Sequence, residues 1–147
     1  GRFRQHGHRS HCQAFRCLSV KLLLDTHLLL WAAGEPKKLS PAARRMIGDK
    51  RHTLCFSAAS LWEIAIKRTL GRDDFRVDPG VLRRGLLENG YAEVSIDGEH
   101  AVAVTVLPLL HKDPFDRILL AQAVVGGMLL LTVDEQLAQY PGPVRKV

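Results

Sequence analysis

Short apolar runs alternate with longer amphipathic segments along this chain, and turn residues between them predict the order of elements. Residues 20–24 form a greasy run ending on Asp25, the pattern of a strand buried on both faces. A helix follows over 26–33, stopped by Gly34, Glu35 and Pro36. Ser40 and Pro41 open a second helix, with proline at the first position, where its missing N–H leaves no bond unmade. Residues 53–57 read as a strand and 58–70 as a helix closed by Gly71. Asp78 and Pro79 open a helix that ends near Asn89 and Gly90. Residues 91–96 alternate like a strand, and 98–107 are helical as far as Pro108. Asp113 and Pro114 start a helix reaching Gly126 and Gly127. A strand over 128–132, a short helix over 134–139 and a last strand over 144–147 complete the chain.

Strands alternating with helices predict an α/β fold, a mostly parallel sheet with helices on both faces. In such sheets, sites form at the carboxyl ends of the strands. The length, 147 residues, fits one compact domain. Three cysteines give no disulfide framework, and Cys55 reads as a small buried hydrophobe. The apolar stretch over 118–133 is interrupted by Gln122, Gly126, Gly127 and Thr132, so no membrane span is expected. The chain reads as a soluble, cytoplasmic protein.

Charge divides the chain in two. Residues 1–19 carry Arg2, Arg4, Arg9 and Arg16 and no acid, which leaves only +2 of the formal +6 on the remainder. That segment reads as a flexible basic N-terminal extension, with residues 20–147 as the folded domain. Its His6, His8, His11, Cys12 and Cys17 match no common zinc spacing. A basic chain is compatible with a nucleic-acid partner, but the body alone argues for one only weakly.

The chemistry-bearing candidates are acids at strand ends and helix starts. Asp25 follows the first strand and Asp134 the fourth, so both belong at the carboxyl edge of the sheet; each also fits a helix cap. Glu63 shares a polar helical stripe with Ser60 and Lys67. Ser60 and Glu63 fit a capping box, and Glu63 with Lys67 an i,i+4 ion pair contributing about 0.2–0.5 kcal/mol. Asp116 is harder to explain by local structure. Asp113 already caps its helix, and Asp116 falls on the wheel among Leu119, Leu120 and Ala123. A carboxylate on an apolar face is costly unless something pairs with it, and a metal ion would do so. Hard oxygen ligands suit Mg²⁺ or Mn²⁺, which can assist phosphodiester hydrolysis.

Four blocks in order carry a resemblance: LLLDTHLLLW at 22–31, SAASLWEIAIK at 57–67, HKDPFDR at 111–117 with AQA at 121–123, and LLTVD at 130–134. Together they resemble the PIN-domain family, and within it the VapC-like toxin ribonucleases. The resemblance implies a three-layer α/β/α sandwich around a five-stranded sheet. It implies that Asp25, Glu63, Asp116 and Asp134 form a catalytic, metal-binding acid pocket for Mg²⁺, with Mn²⁺ as a substitute. It further implies an RNA substrate, a homodimer and a cognate antitoxin protein that occupies the pocket; because a guanidinium binds a carboxylate through two hydrogen bonds, an antitoxin arginine entering there would pair with Glu63 or Asp116. Ser60 and Thr132 match hydroxyl positions near that site, Asp113 a further acid, and Lys67 and Arg117 basic positions. Leu29, Leu30 and Trp31 read either as core or as the lining of an antitoxin groove.

Other classes fit less well. A haloacid-dehalogenase-type enzyme needs a second Asp two residues after Asp25, where His27 stands. A receiver domain wants paired acids at the end of the first strand, and Asp25 has no such partner. No G-x-S-x-G motif supports a serine hydrolase. The alternative that stays open is a non-catalytic RNA- or protein-binding module whose acids are caps.

Overall fold

The structure, a computed structural model, describes residues 19–147. The basic extension expected over 1–19, with its histidines, Cys12 and Cys17, lies outside the described residues except for Ser19.

Five strands form one sheet: β1 (Lys21–Leu24), β2 (Thr53–Ser57), β3 (Ala92–Val94), β4 (Leu129–Thr132) and β5 (Val144–Lys146). Their order is β3-β2-β1-β4-β5, and every pairing is parallel. Parallel neighbours need crossover connections, and helices supply them. The helices are α1 (Thr26–Gly34), α2 (Pro41–Gly48), α3 (Ala58–Thr69), α4 (Pro79–Glu88), α5 (Gly98–Ala103), α6 (Pro114–Gly126) and α7 (Glu135–Ala138).

The central strand explains the layering. Side chains alternate across a strand, so Leu22 and Leu24 face one layer and Leu23 the other. Leu22 and Leu24 pack with Leu28, Leu29, Phe56, Ile64 and Phe75. Leu23 packs with Leu119, Leu120, Ala123, Leu130, Leu137 and Tyr140. All three β1 leucines are fully buried, each stabilising the fold by about 1.5–3 kcal/mol. The unbroken greasy run is thus the signature of a strand covered on both faces. Cys55 is buried in the second cluster. Leu29 is core, whereas Leu30 and Trp31 are only partly buried.

Strand order reverses at β1: one connection leads to β2 on one side, the other to β4 on the opposite side. Chains leaving neighbouring strands in opposite directions open a crevice at their carboxyl ends. Asp25 stands there, its N–H bonded to Leu131 O at 3.0 Å.

Two elements are shorter than their sequence pattern by three residues or more. β3 spans three residues, not six, because it is an edge strand with β2 as its one neighbour. Beyond it, the Ser95 carbonyl accepts from Gln122 Nε2 (3.3 Å). α5 tightens after Ala103 into a 3₁₀ turn, Val104–Val106, where β-branched residues crowd the helix ahead of Pro108. α6 ends on Gly127 at φ 64°, a left-handed cap that favours glycine. No helix of the described residues is long and apolar enough to cross a membrane.

Gln122 ties the layers together. Fully buried on α6, its Oε1 accepts from Ser57 Oγ (2.5 Å) at the end of β2 while its Nε2 reaches Ser95. Gln122→Leu leaves a buried carbonyl without its donor and should cost about 1–3 kcal/mol. The expected readout is a lower urea midpoint at unchanged slope.

Candidate active site

Asp25 ends β1 and caps α1, as its place after a buried strand and before a helix dictates. It is buried, and its two oxygens accept three bonds from the described residues. Oδ1 takes the Leu28 N–H (2.8 Å); Oδ2 takes Thr132 Oγ1 (2.6 Å) and the Val133 N–H (3.1 Å). Burial raises its carboxyl above the usual range, while these donors pull the other way.

Glu63 projects from the second turn of α3 and is also buried. Thr26 Oγ1 donates to Oε1 (2.6 Å) and lies 3.1 Å from Ser60 Oγ. Lys67 Nζ donates to Oε2 at 2.5 Å, in the i,i+4 geometry read from the sequence, and lies over the Phe75 ring. With Lys67 only 22% exposed, this pair is shielded from screening by solvent, unlike a surface pair.

Asp116 lies in the first turn of α6, one turn from the Asp113 cap. Its carboxyl is pushed up to about 7, first by burial and then by the charges of Asp113, Asp25 and Glu63, with His111 opposing. The structure therefore brings Asp25, Glu63 and Asp116 near enough to feel one another. Asp134 joins from the other side of the crevice. It caps α7 through Oδ1, which accepts the Gln136 and Leu137 N–H groups at 2.8 and 3.2 Å. Its own N–H donates to Thr132 Oγ1 (3.0 Å), so Thr132 links Asp25 to Asp134. The α7 N–H groups and His111 hold its carboxyl below the usual range against a burial effect that alone would raise it.

A histidine completes the cluster. His111 Nε2 lies 2.9 Å from Asp116 Oδ2 and 3.2 Å from Asp134 Oδ2. Ligand atoms of His111, Asp116 and Asp134 all lie within 4.8 Å of one another. The sequence singled out four acids and gave His111 no role; its signal was its place inside the HKDPFDR block. The remaining residues divide by contact. Ser60 and Thr132 belong to the hydroxyl network, and Lys67 to Glu63. Asp113 caps α6 through the Phe115 N–H. Arg117 spends its guanidinium on the Pro108 and Val104 carbonyls and the Tyr140 hydroxyl, at 2.9–3.1 Å.

The donor set fits a hard divalent cation. Carboxylate oxygens dominate it, and no donor among the described residues reaches Asp116 Oδ1, although that side chain is only 16% exposed. An unpaired, partly buried carboxylate oxygen beside three other acids calls for positive charge.

Fold and site together define a parallel α/β domain with an acid pocket at the reversal of its strand order. The chain belongs to the PIN domain family, whose profile matches residues 22–143. It is 30% identical over 125 residues to Ribonuclease VapC22 of Mycobacterium tuberculosis (strain ATCC 25618 / H37Rv), covering 84% of this chain and 95% of that one. VapBC2 from Rickettsia felis, solved bound to a DNA fragment from their promoter, superposes with a TM-score of 0.64 at 11% identity, over 87% of this chain and 99% of that one. A toxin–antitoxin complex from Klebsiella pneumoniae gives 0.56 at 17% identity, over 84% and 95%. The VapC-like resemblance and the three-layer fold read from the sequence are thereby borne out.

Proposed function

We propose that this chain is a divalent-metal-dependent endoribonuclease and the toxin of a toxin–antitoxin pair, acting through Asp25, Glu63, Asp116 and Asp134. One observation carries the reading: Asp116, with an oxygen that no donor reaches, stands among Asp25, Glu63 and Asp113 in a crevice at the strand ends. The curated relative named as a ribonuclease supports RNA as the substrate.

In this reading Asp116, Asp25, Glu63 and Asp134 hold Mg²⁺ or Mn²⁺. When bound, the cation polarises the phosphodiester and makes water a better nucleophile at neutral pH. The chain's own residues prepare the site. Thr26 and Lys67 fix the Glu63 carboxylate by one donor to each oxygen. Thr132 and the Leu28 and Val133 N–H groups fix Asp25. Such fixed donors spare the site reorganisation when charge develops.

Residues 20–147 act as the nuclease domain in this reading, with 1–19 a basic extension and the cytoplasm as the place of action. The antitoxin partner is supported by the solved toxin–antitoxin complexes of this fold and by a groove of about 870 Å³ between α1 and α4. Leu30, Trp31, Leu82 and Leu86 line that groove, apolar surface suited to a partner segment. A homodimer is supported by exposed apolar side chains beside the site, Trp62 at 61% and Leu109 at 72% exposure.

The test is cleavage of RNA by the purified chain, full-length and beginning at Val20. Cleavage is expected with Mg²⁺ or Mn²⁺, leaving 5′-phosphate and 3′-hydroxyl ends, and none is expected in EDTA. Undiminished cleavage in EDTA would rule the mechanism out. A folded chain that binds RNA but cleaves none under any metal would favour the binding module.

A further inference from the structure

We propose that His111 is a positioning residue of the acid pocket: its Nε2–H holds Asp116 and Asp134 in register, and its ring is not a ligand to the cation. The inference rests on the metal-dependent reading above.

The tautomer carries the case. His111 Nδ1 lies 3.2 Å from the backbone nitrogen of Asp113, and a backbone N–H can only donate. Nδ1 is therefore the accepting nitrogen and bears no proton. In the neutral ring the proton is then on Nε2, the atom 2.9 Å from Asp116 Oδ2 and 3.2 Å from Asp134 Oδ2. A protonated nitrogen has no lone pair to offer a metal. Ligation through Nε2 would require the ring proton to move to Nδ1, where it would face the Asp113 N–H.

The backbone that carries the ring is also held from behind. The His111 N–H donates to the Tyr140 hydroxyl (3.0 Å), which donates back to the His111 carbonyl (3.2 Å). Arg117 Nη1 donates to the same hydroxyl (2.9 Å) and to the Pro108 carbonyl, and Nη2 to that of Val104. Tyr140 is only 3% exposed, so its phenol, accepting two bonds and donating one, is fully satisfied by this loop. These bonds fix the backbone from which the His111 ring projects into the pocket.

The consequence falls on the carboxylates. His111 Nε2 is hydrogen-bonded to Asp134 Oδ2 and stands 2.9 Å from Asp116 Oδ2, while the N-terminus of α7 occupies Oδ1 of Asp134. Asp116 Oδ1 has no donor among the described residues, and the His111 ring stands against the other oxygen of the same carboxylate. Donors bonded to ligating carboxylates orient them, and losing such a partner costs about 10–100-fold in metal affinity.

The test is a Mn²⁺ titration of the full chain without RNA, by calorimetry, on wild type, His111→Ala and His111→Gln. Gln carries an amide N–H at the reach of Nε2, and pulsed electron paramagnetic resonance of Mn²⁺ bound to wild type, which shows nitrogen coupling only if the ring ligates, separates rescue by that N–H from ligation by the amide oxygen. His111→Ala should weaken Mn²⁺ binding about 10–100-fold, and His111→Gln should recover most of the loss. A Gln variant as weak as the Ala variant would show that the ring nitrogen ligates the cation, and would overturn the proposal. Unchanged or tighter binding by His111→Ala would overturn it too, by showing no role or a competing one. Far-UV circular dichroism checks folding; should the Ala variant not fold, His111→Gln against wild type decides by the same criterion. A wild-type chain that binds no Mn²⁺ would instead sink the metal-dependent reading itself.

Discussion

Asp116→Asn should abolish RNA cleavage and, in EDTA at pH 7.5, raise the melting temperature above that of the wild type. Both effects follow from a carboxylate held where its charge is unwelcome. Burial and the nearby charges of Asp113, Asp25 and Glu63 push its carboxyl up to about 7, against about 3.9 for an unfolded aspartate. Between those values the folded chain binds more protons than the unfolded one. Stability therefore falls as pH rises from about 4 to about 7, by at most about 4 kcal/mol from this group. Asparagine has no proton to lose, so the variant should lack that decline and gain most over wild type above pH 7. The Tyr140 and Arg117 bonds that seat the loop do not involve residue 116, so the loop stays seated. In the proposed mechanism catalysis would lose an oxygen ligand; forfeiting several kcal/mol of charge stabilisation would slow cleavage by at least about a thousandfold. Melting curves across pH 5–8 in EDTA, with Mn²⁺ added to a second set, check this. The cation should stabilise wild type far more than the variant. A variant that melts lower than wild type throughout would show that Asp116 is a paired structural charge.

Asp25→Ala should also abolish cleavage, but with the opposite sign on stability. Asp25 is cap, clasp and proposed site residue at once, accepting from Leu28, Thr132 and Val133 across two separate chain segments. Losing a helix cap costs about 0.5–2 kcal/mol, and stranding a buried N–H costs about 1–3 kcal/mol more. A total near 2–4 kcal/mol lowers the melting temperature by roughly 4 °C per kcal/mol for a domain of this size. Two acids of one pocket that move stability in opposite directions separate strain from support. If both substitutions destabilised alike, the acids would be caps and ion pairs, and the non-catalytic module would be the better reading.

Much of this was legible because it is local. A greasy run that stops on an acid before a helical pattern places Asp25 at a strand end. Asp113 followed by Pro114 fixes the start of α6 and leaves Asp116 one turn in, a carboxylate among leucines that no local rule explains. Other features depend on distant chain. His111 meets Asp134 across 23 positions, and the Tyr140 hydroxyl meets His111 across 29. Arg117 reads as a basic residue beside a site, yet its guanidinium closes a loop whose carbonyls at Val104 and Pro108 become acceptors only once that loop folds back. Leu29 and Leu30 are adjacent apolar residues in sequence; the packing of α1 buries the first and turns the second to a groove.

The sequence by itself determined the alternation of strands and helices, the parallel sheet that follows from it, and the positions of four acids at element ends. Periodicity and capping chemistry act within a few residues, so they can be read in line. Only the tertiary structure decided which oxygens are satisfied. Asp25, Glu63 and Asp134 have a donor on each carboxylate oxygen, whereas Asp116 keeps one oxygen that no donor among the described residues reaches. That distinction comes from strand order, which brings four separate segments to one crevice. Hydrogen bonding and desolvation there depend on neighbours that no window of sequence contains.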